Sequence, residues 1–564
     1  MFDFQAQENE DLIQNRIELL ERMVSKFGDK LNFENPLNMS FDENLNNYFP
    51  LIKELKTFFG FNFFLNLWGT DTEIEGQTCL QVQLLNMDTH QRLVLKFIVG
   101  DGEIVPTLTN LWKGCFWCEQ ETWDMLGIEF SEIPKERLFS PDGMEGFPLK
   151  KDFRPKPFQL KSSKYNFTPD PRVDREVWKQ RTVLEEDYFL GEVNGPVKAI
   201  LECDEDKVAR GRLEVGFLHR GIEKIVEGLE ARQILVHLRR INMNCSSFYE
   251  QVFCDGVEAH LDIDIPERAK ALRMVINEVE RIFEHLDTLG RVCDNLGCKP
   301  FFFECLEMRE SLIQILKEYS GRRMPHQIIT LGGVFKDAPK GWITDCLRVL
   351  EEIQKKTTEI SKMISKSSLW MDRLCDYELD SNQALSWGVT GPNLRASGVN
   401  YDLRKVNPHY FYDDVDFEIP LGINGQCYDR YLVRVEEIFQ SISIINQLLD
   451  NLPLGSHLSK DARIYIPLKE DVYRESQALI QHHKLIKEGV QLPMGEFYNS
   501  IESPNGELGI HLHCDGSSRP LRFKLRTPSY YAGQCFSDVI EGGVPEEVPL
   551  VISSLNISMG EVDR

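Results

Sequence analysis

The sequence predicts two folded regions in one chain: an α+β domain first, then a mainly α domain flanked by β hairpins. Three observations carry this. Two strand-length apolar runs, "CLQVQLLNM" and "RLVLKFIVG", enclose a polar "DTHQ" and read as a hairpin. A proline-rich, basic stretch follows them. Beyond it, long segments repeat apolar residues at three- and four-residue spacing, as helices do.

The elements follow in order. "EDLIQNRIELLERMVSKF" (10–27) has helical spacing and reads as a surface helix. After the hairpin, "CEQETWDMLGIEF" returns to helical spacing and stops at Gly127. This gives residues 1–140 as the α+β domain. "PDGMEGFPLKKDFRPKPFQLKSSKYNFTPDPR" marks an extended linker over 141–185, with the second domain spanning 186–564. "VKAILECDEDKVARGRLEVG" reads as two short strands. "DIPERAKALRMVINEVERIFEHLDTLGRVCDNLG" is the clearest helix. Asp264 is its expected N-cap, Pro266 lies just inside, and an apolar stripe runs from Leu272 through Ile276, Val279 and Phe283 to Leu289. Further helices are expected over 305–320, 343–366 and 430–450, and a hairpin over 506–531. Gly332-Gly333 and Ser397-Gly398 read as backbone turns.

Composition narrows the function classes. The 564 residues are 42% hydrophobic and 27% charged, enough to bury large cores. Lys+Arg number 64 against 89 Asp+Glu, a formal charge of −25, which argues against a general nucleic-acid binder. No run of about 18 uncharged apolar residues offers a bilayer span. The opening "MFDFQAQENEDLIQ" lacks the cationic and apolar regions of a secretory signal, so a cytosolic chain that meets membranes through partners is expected. The 14 cysteines follow no disulfide framework. Cys115 and Cys118 form one CxxC, and Cys293, Cys298 and Cys305 a loose trio. Both groups read as packing thiols, since zinc and iron–sulfur sites want four ligands in a tight pattern.

Several segments together resemble respiratory complex I, the proton-pumping NADH:quinone oxidoreductase, as its C and D subunits fused. "WCEQETWDMLGIEF" is similar to a C-subunit pattern through Trp117, Glu119, Glu121, Trp123, Asp124, Gly127 and Ile128, and "EGFPLKKDF" to that subunit's closing segment. Gln120 and Phe147 depart from it, where arginine and histidine are usual. From about residue 187 the D subunit is matched by "GFLHRGIEK", "IPERAKALRMVINEVERIFEHLDTLG", "GRRMPHQIITLGGV", "LRASGVNYDLRK", "CYDRYLVRVEE", "GELGIHLHCDGSSRP" and the terminal "GEVDR", in family order.

The resemblance implies a D region folded like the large subunit of nickel–iron hydrogenases. The thiolates such a metal site needs would fall at Asn242, Cys245, Ser558 and Glu561, and only one is a cysteine, so the metal site is not expected. It also implies a peripheral-arm scaffold binding no metal itself. Its partners would be the subunit holding the terminal [4Fe–4S] cluster and a membrane-arm subunit at the quinone entrance. NADH, FMN and Fe–S clusters would belong to partner subunits, quinone would be the substrate, and the place would be the cytoplasmic face of a bacterial inner membrane. In the family a histidine and a tyrosine hold the quinone oxygens, and an aspartate orients the histidine. An imidazole and a phenol can hydrogen-bond those oxygens and deliver protons. Ungapped alignment from "HRG" makes "DYFLGEVNG" (187–195) the histidine loop, with Leu190 and Asn194 at its histidine positions and Met243 at the tyrosine position. Neither Asn194 nor Met243 is an ordinary proton donor. Asp294 matches the aspartate. Arg240 and His285 match cluster-side residues, and Arg281 lies one helical turn before His285.

From the residues alone each has a plainer alternative: Arg240 a surface cation, His285 a satisfied core histidine, Asp294 a helix end, and "GSSRPLRFKLR" a solvated hairpin face. The lost proton donors also admit a divergent paralogue with altered or absent quinone chemistry, and a hydrogenase-related protein is the more distant rival.

Overall fold

The structure is a computed structural model that describes residues 2–35, 38–72, 74, 76–141, 143–157, 182–188 and 193–564. Packing divides the chain into two compact units, Met1–Lys179 with Asn382–Val389, and Gln180–Ser381 with Thr390–Arg564.

Unit 1 is built on a five-stranded sheet. Its strands are β1 (Asn32–Asn35), β2 (Asn38–Glu43), β3 (Phe63–Asp71), β4 (Gln77–Leu85) and β5 (Arg92–Gly100), in the order β1-β2-β5-β4-β3. The expected hairpin is the antiparallel β4–β5 pair, and β2 joins β5 in parallel. Helices α1 (Phe2–Phe27), α2 (Tyr48–Phe58) and α3 (Cys115–Leu126) accompany it. α3 ends at Gly127, whose φ of 84° lets its N–H reach the Trp123 carbonyl at 2.9 Å.

The acidic residues of "WCEQETWD" hold backbone. Glu119 accepts from Thr107 Oγ1 and the Leu108 N–H, each at 2.7 Å, and burial pushes its pKa up to about 8. Asp124 accepts the N–H groups of Leu138, Phe139 and Ser140 at 2.9–3.1 Å and pairs with Arg137 at 2.9 Å. Cys115 and Cys118 are buried, as are Cys293, Cys298 and Cys305.

The expected linker is partly structured. The Leu149 N–H bonds the Met125 carbonyl at 3.0 Å and the Lys151 N–H bonds Asp71 at 2.7 Å, so this stretch packs on unit 1. A Cβ on Gly127 would stand 2.6 Å from the Phe147 ring, which shows how closely that aromatic covers the helix end. Residues 158–181 lie outside the described set, and Thr182–Tyr188 is a strand.

Unit 2 opens with β6 (Thr182–Tyr188), β7 (Val197–Asp204) and β8 (Lys207–Glu214), an antiparallel sheet in the order β8-β7-β6. α4 (Ala231–Leu238) and α5 (Ser246–His260) lead into α6 (Glu267–Asn295), the central helix. Around α6 pack α5, α7 (Lys299–Ser320), α8 (Cys427–Asp450) and α9 (Val548–Leu555). α6 starts after Pro266, and no side chain caps it, so the cap expected at Asp264 is not formed. Its polar residues are buried as fully as its apolar stripe: Arg273, Glu278, Glu280, Arg281, Glu284 and His285 are all 0% exposed.

A second sheet carries β9 (Met494–Ser503), β10 (Gly506–Asp515) and β11 (Arg522–Arg526), paired antiparallel in that order. The basic "GSSRPLRFKLR" is not a solvated face. Arg522, Lys524 and Arg526 are buried, and Glu223 accepts the first two at 2.9 and 3.3 Å. Hidden cations are stable there because a buried carboxylate meets them.

Candidate functional site

The C-terminal segment organises the site. Asn556 adopts a φ of 51°, which turns the chain out of α9. Ser558 then forms a parallel bridge with Asn194, and the Met559 N–H bonds the Asn194 carbonyl at 2.9 Å. The approach needs a glycine beside it: a Cβ on Gly195 would stand 2.7 Å from the Met559 Cβ. On the other side, a Cβ on Gly560 would stand 2.3 Å from the Ile241 carbonyl oxygen.

The last residues anchor the loop "GFLHRGIEK". Asp563 accepts the Gly216 and Leu218 N–H groups at 2.7 Å each, and Arg564 pairs with Glu223 at 3.2 Å. Glu223 therefore meets Arg522, Lys524 and Arg564. Burial raises its pKa, but the three cations outweigh burial and hold it well below the usual carboxylate range.

Asn194 and Ile241, two residues before Met243, thus flank one segment, residues 558–561. Asn194 is half-buried, and its Nδ2 is shielded without a hydrogen-bond partner. Met243 is 50% exposed. Leu190 lies outside the described residues. Asp294 pairs with Lys299 near the end of α6 and has no bond to Asn194 among the described residues. Its neighbour Asn295 is the one that turns inward, donating to the Pro549 carbonyl at 3.1 Å and Ser553 Oγ at 2.9 Å.

Behind this wall lies a buried polar cluster. Glu561 Oε1 accepts from Asn242 Nδ2 at 2.9 Å and Asn505 Nδ2 at 3.2 Å, with Cys245 Sγ at 3.9 Å. Glu561 Oε2 accepts the Ser529 hydroxyl. Asn242, Cys245 and Glu561 are thus together as an amide, a thiol and a carboxyl. Ser558 stands on the Asn194 bridge. Burial pushes the Glu561 pKa up, and the neutral donors Asn242 and Ser529 offset only part of that.

The two adjacent arginines part company. Arg239 is buried and pairs with Glu250 at 3.1 Å. Arg240 is exposed, and its carbonyl accepts Arg220 Nη2 at 3.0 Å.

Arg281 and His285 are not at the surface. Arg281 pairs with Glu278 at 3.1 Å, donates to the Glu502 carbonyl at 2.7 Å, and lies over the Phe248 ring at 5.3 Å. His285 Nε2 meets Glu437 at 2.8 Å, and burial lowers its pKa to about 4. α5, α7, α8 and α9 pack around α6, so both side chains lie inside unit 2. Arg395 completes the network, reaching Glu437 and Glu502 at 2.8 Å each. Reading the sequence assigned no role to Arg395, Glu437 or Glu502, although all lie in or beside quoted segments. For Glu437, a charged residue on a face shared with Val433, Ile438 and Ser441 of a long helix was the available signal.

Two families match the chain. The one described as "Respiratory-chain NADH dehydrogenase, 30 Kd subunit" matches residues 43–159, and "Respiratory-chain NADH dehydrogenase, 49 Kd subunit" matches 295–564. The C/D subunit of an NADH-quinone oxidoreductase from Bdellovibrio bacteriovorus is 34% identical over 511 residues, spanning 89% of this chain and 91% of the relative. A C/D subunit numbered 2 from Aquifex aeolicus is 29% identical over 582 residues, spanning 97% and 99%. The D subunit from a Wolbachia of Brugia malayi is 36% identical over 372 residues, spanning 66% of this chain and 95% of its own. The chain belongs to the family of fused C/D subunits of NADH-quinone oxidoreductase.

Proposed function

We propose that this chain is a scaffold of the peripheral arm of a proton-pumping NADH:quinone oxidoreductase, supplying one wall of the quinone pocket. The carrying observation is that Asn194 and the chain just before Met243, far apart in sequence, meet the same C-terminal segment. A partner protein would hold the terminal [4Fe–4S] cluster against this wall, with exposed Arg240 three residues before Met243. Arg281 and His285 would act on the cluster only through the buried network. NADH, FMN and the remaining clusters would lie in other subunits, and a membrane-arm protein would meet the quinone entrance at the cytoplasmic face of a bacterial inner membrane. Among the described residues no helix is long and apolar enough to cross a membrane, so membrane contact is assigned to those partners. The buried Asn242, Cys245 and Glu561 cluster fits kinship with the nickel–iron hydrogenase large-subunit fold, without its metal chemistry.

The wall residues can bind a quinone oxygen. The unpartnered Asn194 Nδ2 can donate to a carbonyl, and the exposed Met243 side chain can pack on a ring. The purified complex is expected to reduce a short-chain quinone from NADH in an inhibitor-sensitive way. Transfer to ferricyanide but not to quinone would instead favour a divergent paralogue, a reading supported by the loss of both usual proton-bearing side chains at Asn194 and Met243.

A further inference from the structure

Reduction of a quinone adds two electrons and two protons to its ring oxygens. Asn194 and Met243 hold no such proton, and Asp294 is turned to Lys299. The nearest titratable side chain joined to both sides of the wall is Glu561. Its Oε1 bonds Asn242, the neighbour of Met243, at 2.9 Å. Its Oε2 bonds Ser529, whose Oγ accepts the Ser558 N–H at 3.2 Å, and Ser558 is the bridge partner of Asn194.

We propose that Glu561 is a carboxylic acid that holds and releases a proton for quinone reduction from one layer behind the wall. This rests on the quinone-wall reading above.

The surroundings of Glu561 favour the acid form. Glu561 lacks the guanidinium that Glu437 has in Arg395 at 2.8 Å. Glu561 is 0% exposed, and every hydrogen-bond donor recorded on its carboxyl is neutral. A second buried carboxyl stands close by. Asn505 Nδ2 is shared between Glu561 at 3.2 Å and Glu284 at 3.4 Å, so two full negative charges there would repel across one amide. Glu284 Oε2 is itself buried without a hydrogen-bond partner. The Tyr249 hydroxyl is buried too and faces Glu561. An unfilled acceptor on a second carboxyl beside a buried acid fits a group that exchanges a proton.

The balance is simple. Two electrons arrive from NADH through the partner's iron–sulfur cluster. Glu561 loses its O–H proton, carried by water admitted with the quinone, to one quinone oxygen and is left a carboxylate. The second proton comes from water outside. The carboxylate regains a proton from solvent before the next turnover.

The test uses the whole purified complex. Glu561→Gln keeps the size and the bonds to Asn242 and Ser529 but carries no acid. Its inhibitor-sensitive NADH:quinone rate should fall about 100-fold, the scale of general acid catalysis, while NADH:ferricyanide transfer is unchanged. Glu561→Asp, an acid of the wrong length, should outperform the amide of the right length, which a merely structural role would reverse. In the wild type, the acid form is lost as pH rises through its raised pKa, so the quinone rate should carry an alkaline limb that Glu561→Gln lacks. A Glu561→Gln complex with wild-type rate and pH profile overturns the proposal and leaves the proposed function standing. A wild-type complex that passes electrons to ferricyanide and never to quinone overturns both. If Glu561→Gln does not assemble, infrared difference spectra of the wild type decide. The protonated-carboxyl band should weaken on quinone reduction, and turnover with no carboxyl change overturns the proposal.

Discussion

At the scale of single residues, unit 2 separates buried groups by the company they keep. Asp402 lies against Arg404 at 2.8 Å and Arg395 at 3.3 Å. Burial pushes its pKa up, yet the two guanidiniums outweigh burial and hold it at about 2. Its stabilisation is therefore full above the unfolded carboxylate value and is lost as pH falls towards about 2. His285 runs the other way. Burial lowers its pKa to about 4, with Glu437 at 2.8 Å offsetting only part. The unfolded histidine takes up a proton below about 6.5, whereas the folded one stays neutral down to about 4. The contribution of His285 to stability should thus decline as pH falls through that window, by about 3 kcal/mol at its acid end. His326 and His409 share its lowered pKa, and buried Glu250, Glu280 and Glu502, whose pKa burial raises, act in the opposite direction, so the wild-type difference alone does not isolate it. Urea unfolding at pH 7 and pH 5 of the wild type and of His285→Gln does: the loss on going to pH 5 should be smaller in the variant, and the same difference in both would assign no part of it to His285.

At the scale of elements, the C-terminal segment is positioned by close glycine passages as well as by buried Ile557, Met559 and Val562. Gly560 passes the Ile241 carbonyl so closely that an added Cβ would stand 2.3 Å from backbone oxygen. Gly560→Ala should force the segment outward, destabilising unit 2 by about 1–3 kcal/mol. It should also make residues after 556 easier to cleave by limited proteolysis. Gly228→Ala, whose nearest neighbour is 3.5 Å away, is the control and should do neither. This closeness was not legible in the sequence, since "GEVDR" shows a glycine but not the turn it must pass. Regular elements were more legible, because periodicity is local. The hairpin β4–β5 and the helices α3, α6, α7, α8 and that over Trp342–Ile364 lie near their expected positions. β9 was missed although "SPNG" precedes β10 and carries the turn chemistry of a hairpin. The alternation in β10 drew the strand boundary to one side only. The basic strip was misjudged because charge pattern does not reveal that Glu223, some three hundred positions earlier, folds underneath it.

At the scale of the whole molecule, the candidate site joins segments near 194, 218, 242, 505, 529 and 561. Motif likeness supplied most of these numbers. Only folding shows that Asn194 and the chain just before Met243 meet one segment and that Glu561 lies behind it. That arrangement makes a prediction no single residue makes. If Glu561 compensates for side chains this chain lacks, then returning those side chains should relieve the need for it. Asn194→His with Met243→Tyr should raise the quinone rate of the purified complex above that of the unaltered chain. Adding Glu561→Gln to that pair should then cost far less than the about 100-fold expected in the unaltered background, because the new imidazole and phenol can give protons directly. The coupling between the two sites, read as the ratio of these losses, measures the compensation. Equal losses in both backgrounds would mean that Glu561 and the wall act independently. No gain from the paired substitution would mean that the pocket has been rebuilt around other residues, with Asn194 and Met243 as parts of a different binding surface.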